Sequence, residues 1–214
     1  MDARLTIRDV LTGTARPIAA KSGQTGFFKT PCPGEVGIGP LGLSGDTIVD
    51  TDNHGGPDQA VYLMGSGDYA HWQGCLGRDL PPGSFGENLV LDGWTSAGAA
   101  IGDRIVIGPV LLELTAPRIP CVTLARVMDD PGFLNRFFDE GHPGAYARVL
   151  ARGRLRAGDG VTLLPYADGP RVTMAACLAA CRTGLKDPEI LAALARIPAH
   201  HLLVRAARDA SATP

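Results

Sequence analysis

The sequence has no surplus of positive charge to offer a polyanion. Its 20 lysines and arginines face 22 aspartates and glutamates, a net charge of -2, and no run of basic residues compensates locally. Binding to nucleic acid or to an anionic membrane surface is therefore not expected. Long apolar runs are missing too. No stretch is long enough to span a bilayer, and Met1 to Arg8 alternates like a strand instead of carrying the apolar core of a signal peptide. These absences point to a soluble, cytoplasmic protein. Cysteine is sparse: Cys32, Cys75, Cys121, Cys177 and Cys181 make an odd count of 5 with irregular spacing, which fits free thiols in a reducing compartment and not a disulfide framework. There is no Walker-type phosphate loop, no Gly-x-Ser-x-Gly elbow, no internal repeat and no low-complexity segment. Gly37-Ile38-Gly39-Pro40-Leu41-Gly42 spells a dinucleotide fingerprint, but that motif must open a helix. Pro40 stands inside it, and Leu43-Ser44-Gly45-Asp46 continues as a turn.

What is present divides near residue 170. Of 28 glycines, only Gly184 follows Pro170. Before that point Gly, Pro, Asp and Asn break the chain every few residues, and short apolar runs lie between the breaks. Gln59 to Met64, Arg104 to Ile107, Val110 to Leu114 and Val161 to Leu164 read as short strands of a mixed α/β, β-rich domain. Asp68 to Gly74 and Pro131 to Glu140 read as helices inserted among them. After the linker Tyr166 to Pro170, the segments Val172 to Arg182, Pro188 to Arg196 and Ala199 to Ala210 carry helical spacing, and Asp187 before Pro188 is a helix-start signal. The expected division is residues 1–168 for the β-rich domain and 169–214 for a small all-helical domain.

Cys121 is the residue with the most chemical promise. Arg118-Ile119-Pro120-Cys121 follows the apolar run Val110 to Leu114, so a deprotonatable thiol is held at the end of a rigid element, with a cation near enough to favour the thiolate. Such a soft ligand suits a heavy metal or sulfur transfer, while the bland reading is a small buried hydrophobe. His54-Gly55-Gly56 offers backbone N–H groups to an anion, or is only a polar turn. Glu87 and Asn88 can present an acceptor and an amide to a heterocycle, or close their own loop. Arg148 can meet a phosphate or make a surface ion pair. Cys177 and Cys181 share a helix face, where they chelate a metal or pack a core, and no further ligands complete a tetrahedral site.

The order of these segments is more specific than any one of them. Lys21-Ser22-Gly23 with Phe28-Lys29-Thr30-Pro31, Leu41 to Asp46, His54 to Tyr62, Gly83 to Leu89, Ile101 to Arg104, Pro117 to Cys121 and Gly144 to Leu150 together resemble the MOSC domain, the carboxyl-terminal domain of molybdenum cofactor sulfurases. The chain is most similar to the stand-alone bacterial type that confers resistance to hydroxylaminopurine, in which the domain precedes three helices. The resemblance runs from about Arg4 into the tail, which matches by length and helical pattern only.

This resemblance implies a MOSC β-barrel-like domain followed by a small all-helical domain, and binding of molybdenum cofactor, with Cys121 as catalytic residue and metal ligand. It implies that Lys29, His54, Gly55, Gly56, Asn88, Arg118 and Arg148 surround the pterin and its phosphate. The implied chemistry is reduction of a small N-hydroxylated substrate from N–OH to N–H, with electrons from a separate electron-donor redox protein, since the chain holds neither a flavin site nor an iron–sulfur cysteine set. Asp46, Asp58 and Glu87 are candidates for proton relay. Two other roles share the pocket: a sulfur carrier bearing a Cys121 persulfide, and a non-catalytic cofactor carrier. The family also has an association with pyridoxal phosphate, for which the chain has no lysine signature. Two departures stand out. Extra residues lie between Gly23 and Lys29, and Val122-Thr123-Leu124 follows the cysteine where many members of that family have an aromatic or polar residue and then lysine, which removes a positive charge.

Overall fold

A computed structural model describes residues 5–19, 23–51 and 54–211. Met1 to Arg4 of the first expected strand, Lys21-Ser22 of the first motif, and Asp52-Asn53 before His54 lie outside the described residues. The strands in chain order are β1 (Thr6–Thr12), β2 (Arg16–Pro17), β3 (Gln24–Thr25), β4 (Thr30–Pro31), β5 (Val36–Gly39), β6 (Gly42–Leu43), β7 (Val61–Gly65), β8 (Leu89–Asp92), β9 (Arg104–Ile107), β10 (Val110–Ala116), β11 (Ala145–Ala151), β12 (Gly153–Leu155) and β13 (Thr162–Leu164). The helices are α1 (Ser66–Leu76), α2 (Val122–Met128), α3 (Phe133–Glu140), α4 (Met174–Arg182), α5 (Pro188–Leu194) and α6 (His201–Ser211).

Eight strands form the main sheet in the order β13-β9-β10-β11-β7-β8-β1-β4. Pairing is antiparallel except between β7 and β8, which run parallel because α1 carries the chain back between them. The ladders leave this sheet open. Its two ends nevertheless approach each other, since Ile7 N–H donates to Asp159 O at 2.9 Å, Val161 N–H donates to Leu5 O at 2.9 Å, and Thr6 and Gly160 form an isolated bridge. The mixed α/β, barrel-like expectation therefore describes the fold, with a seam where a closed barrel would have a continuous ladder.

Side-chain alternation sorts the sheet into two cores. Val61 and Leu63 of β7, Leu89 and Leu91 of β8, and Ala145 and Ala147 of β11 enter the barrel interior with Ile7, Ile105 and Leu112. Tyr62, Met64, Val90 and Tyr146 point to the other face, where Trp72, Phe133 and Phe137 cover them. Because both faces are covered, every residue of β7 is buried. A register shift between Ile7 and Asp9 lets Ile7 and Val10 of β1 both face inward while Leu11 faces out. The outer core is aromatic: Trp72 stacks on Phe137 at 5.4 Å and donates its indole N–H to His142 O at 2.9 Å.

The helices match the expected positions with one addition. Helix α1 runs longer than Asp68 to Gly74, and α3 begins at Phe133. Helix α2, directly after Cys121, had no sequence signal, being short and closed by Asp129 in the left-handed region (φ 53). Thr173 caps α4 by accepting from Ala176 N–H, and Asp187 caps α5 by accepting from Glu189 and Ile190 N–H, as its sequence indicates. The tail is joined to the barrel through its core. Val172, Met174, Cys177, Leu194, Ile197, Ala199 and Ala207 belong to the same apolar cluster as the barrel interior. Cys177 and Cys181 pack there, and among the described residues no third ligand approaches them. We propose the division at Asp168 as a change of architecture between two units that share a core. Among the described residues, no helix is long and apolar enough to cross a membrane.

Candidate functional site

The outward tyrosines of β7 and β11 form the floor of a cleft enclosing about 730 Å³, its open mouth included. Its walls come from Gln24 to Phe27, Asp46 to Asp50 and the His54-Gly55 turn, and Lys29, Gln59, Asn88, Arg118, Cys121 and Thr123 also line it.

Backbone approach shapes one wall. A Cβ on Gly26 would lie 1.8 Å from Thr47 O, so only glycine lets these two loops close. Gly55 and Gly56 have φ of 80 and 78, conformations that side chains resist, which is why two glycines follow His54.

Glu87 and Asn88, adjacent in sequence, have separate fates. Glu87 is fully buried and accepts from Gly83 N–H at 2.7 Å, Phe85 N–H at 3.1 Å and the Tyr69 hydroxyl. It closes its own loop. Asn88 faces the cleft, where its carbonyl accepts from Tyr62 N–H at 3.1 Å and its amide donates to Asp46 at 2.8 Å. Asp46 also accepts from Gly13 N–H at 2.8 Å and is paired with Lys29, both side chains being over nine-tenths buried. Burial pulls the Lys29 ammonium below its usual range, Asp46 only partly restores it, and Arg118 lowers it further. Among the described residues Lys29 is the only lysine lining the cleft, and its engagement by Asp46 leaves no free amine there for a pyridoxal phosphate.

Arg118 and Cys121 meet at the end of β10. The Arg118 guanidinium lies over the Tyr62 ring at 4.9 Å and the Phe27 ring at 5.4 Å, and its Nη1 donates to Phe85 O at 3.1 Å. Its Nε is buried without a partner, and among the described residues no carboxylate forms an ion pair with it. Its Nη2 lies 4.0 Å from Cys121 Sγ. Burial pushes the Cys121 thiol up, but a hydrogen bond from His54, the charge of Arg118 and the Leu124 backbone N–H outweigh it and hold the thiol at about 6. At neutral pH Cys121 is mostly thiolate. The Tyr146 hydroxyl, which burial pushes up, stays neutral beside it.

Of the residues singled out from sequence, Lys29, His54, Gly55, Asn88, Arg118 and Cys121 therefore gather in one cleft. Gly56 stands one residue outside its lining, at the start of a single 3-10 turn. Arg148 lies elsewhere. It is paired with Asp58 at 2.9 Å and Glu113 at 3.4 Å and donates to Ala199 O at 3.0 Å, tying the tail to the barrel. Sequence reasoning missed Tyr62, Tyr146 and Gln59; alternation puts the two tyrosines on one face of the sheet, but β7 is buried throughout and does not mark that face as the site.

Comparison with known proteins agrees with this architecture. The MOSC domain family matches residues 50–162. The chain is 35% identical over 141 residues to the uncharacterized protein YflK of Bacillus subtilis, covering 66% of this chain and 64% of YflK. It is 33% identical over 150 residues to a protein named reductase from Gibberella moniliformis, covering 65% of this chain and 26% of that one. With YiiM of Escherichia coli it shares 30% identity over 179 residues, covering 80% and 77%. The match thus spans less than two thirds of YflK and about a quarter of the fungal reductase. Among solved structures, YiiM from Geobacillus stearothermophilus superposes with a TM-score of 0.78 at 24% identity, covering 96% of this chain and 98% of that one, a likeness of fold. The chain belongs to the MOSC domain family, which is associated with molybdenum cofactor binding.

Proposed function

We propose that the protein holds molybdenum cofactor in this cleft, with Cys121 as the protein ligand to the metal, and reduces N-hydroxylated compounds with electrons from a separate redox protein. The observation that carries the reading is Arg118, a buried cation with an unpartnered Nε, 4.0 Å from a thiol held at about 6. The negative group beside this guanidinium is the Cys121 thiolate, 4.0 Å away, and a buried cation with an unsatisfied N–H is stabilised further by an anionic ligand. A phosphate would be such a ligand, and a soft thiolate beside it suits a heavy metal.

The remaining lining fits the rest of such a molecule. Gln59 Oε1 is buried without a partner and can accept from a ring N–H, while Asn88 is held in place by Tyr62 and Asp46. When bound, the cofactor supplies a two-electron centre that accepts the oxygen of an N–OH group. The net reaction takes N–OH, two electrons and two protons to N–H and water. Of the candidate proton carriers Asp46, Asp58 and Glu87, only Asp46 lines the cleft, where Lys29 shares its proton network. Asp58 is engaged by Arg148 and His201, and Glu87 by its own loop. Arg148 stands outside this binding set, because Asp58 and Glu113 already match its charge.

The test is elemental and pterin analysis of wild-type and Cys121→Ala protein made in a host competent for the cofactor, with turnover of hydroxylamines and amidoximes by an artificial donor. Wild type is expected to carry near-stoichiometric molybdenum and pterin, and the variant to lose turnover. Loaded protein inactive across a broad panel would mark a cofactor carrier. The acidic thiol also favours a second reading, sulfur carriage by a Cys121 persulfide. A gain of one sulfur on Cys121 after incubation with a cysteine desulfurase, seen by intact mass, would select it.

A further inference from the structure

The strongest cluster outside the cleft joins α1 to the end of α3. His71 and Cys75, four residues apart on α1, face Glu140 at the last position of α3. Cys75 Sγ is 3.4 Å from His71 Nε2, which is 2.9 Å from a Glu140 carboxylate oxygen, and all three ligand atoms lie within 4.8 Å of one another. From this juxtaposition we propose that His71, Cys75 and Glu140 form a site for a borderline divalent cation of the zinc class, with water at a fourth position.

The chemistry of the set is consistent with that cation. Metal–ligand bonds of about 2.0–2.3 Å at tetrahedral angles separate N, O and S ligands by roughly 3.3–3.6 Å. The observed separations therefore need to open by only a few tenths of an ångström at the His71–Glu140 pair. A neutral imidazole, a thiolate and a carboxylate together balance a charge of +2. The nearby Arg136 is drawn off by Asp130 at 3.2 Å. His71 is also held in its plane: His142 stacks on it with ring centroids 3.9 Å apart and 16° between planes, and His142 Nδ1 is fixed by Asp68 at 2.9 Å. The stacked ring restricts rotation of the His71 imidazole, which keeps its Nε2 turned toward Cys75 and Glu140. His71 and Glu140 side chains retain 29% and 33% exposure, so the cation has a way in. Bound there, it would pin α1 to α3 over the aromatic layer of Trp72, Phe133 and Phe137.

The test uses Co2+ as a spectroscopic probe and Zn2+ as ligand on chelator-treated full-length protein. A thiolate-to-cobalt charge-transfer band is expected in wild type and in Cys121→Ser, lost in Cys75→Ser, and at least tenfold weaker in cobalt affinity in Glu140→Gln. Zn2+ is expected to protect Cys75, but not Cys32 or Cys181, from alkylation in the wild-type protein, a readout that requires no variant. Absence of the band in wild type, absence of Cys75 protection, or a band lost in Cys121→Ser and kept in Cys75→Ser would overturn the site.

Discussion

The state of Cys121 can be tested without any cofactor. Its thiol is held at about 6 against an ordinary value of 9.0, so at pH 7 the thiolate fraction is about 90% compared with about 1% for an unperturbed thiol. Lower basicity also lowers intrinsic nucleophilicity. With a Brønsted slope of about 0.45, three pKa units reduce attack on a disulfide reagent by roughly 20-fold. The net gain at pH 7 is therefore only about fourfold, and rate at one pH is a poor diagnostic. The pH profile is better. Labelling of Cys121 by an aromatic disulfide, resolved from the other cysteines by peptide mass, should have its midpoint near 6, and replacing Arg118→Met or His54→Ala should move that midpoint upward. A parallel effect on stability follows, because the native pKa lies below the unfolded one: the contribution is complete above about 9, shrinks as pH falls, and is gone below about 6. The stability difference between wild type and Cys121→Ser should close over that window. A labelling midpoint near 9 in wild type, or one near 6 that neither substitution moves, would refute the electrostatic account of the cleft.

Further substitutions separate structural from binding roles. Gly26→Ala places a methyl group against Thr47 O, so the Thr47 wall must move, and cofactor loading measured by molybdenum content is expected to fall at least tenfold. Arg148→Ala removes one partner from each of Asp58 and Glu113, which keep His201 and Arg104. It should cost about 2 kcal/mol in urea unfolding while leaving molybdenum content unchanged, and a variant that lost cofactor without losing stability would return Arg148 to the binding residues. Glu87→Ala strands Gly83 N–H, Phe85 N–H and the Tyr69 hydroxyl in the interior, with an expected loss of about 2–4 kcal/mol; a thermal midpoint equal to wild type would show that the loop closes by other means.

Local chemistry was legible in the sequence wherever a residue acts through its immediate neighbours. Asp187 and Pro188 mark a helix start because capping needs only the next turn, and Arg118 beside Cys121 announces a thiolate because three residues of chain keep them together. Parity was legible in principle, yet the tyrosines of β7 and β11 were missed. A strand covered on both faces shows no polar alternation, so nothing in Val61 to Gly65 says which face carries the chemistry. Arg148 failed for a different reason. Its carboxylate partners are Asp58 and Glu113, remote in sequence, and only folding shows that its charge is taken. The same distance hid Glu140 from His71 and Cys75.

The two cores give these separate outcomes a common cause. Strand alternation sends small and aliphatic side chains inward, where Leu63, Ala145 and Ala147 pack the barrel, and it sends Tyr62, Met64 and Tyr146 outward under helices and loops. The outward face is therefore amphipathic where it meets Arg118: the Tyr62 ring lies against the guanidinium, while Arg118 and Cys121 both line the cleft. Replacing an inward residue such as Leu63 by Ala should lower stability by about 2–5 kcal/mol and leave the Cys121 labelling midpoint in place. Replacing Tyr62 by Leu, which keeps the outward volume apolar but removes the ring beneath Arg118, should shift that midpoint. If both substitutions moved stability and the thiol together, the two faces of the sheet would form one cooperative unit, and the division of labour argued from alternation would not hold.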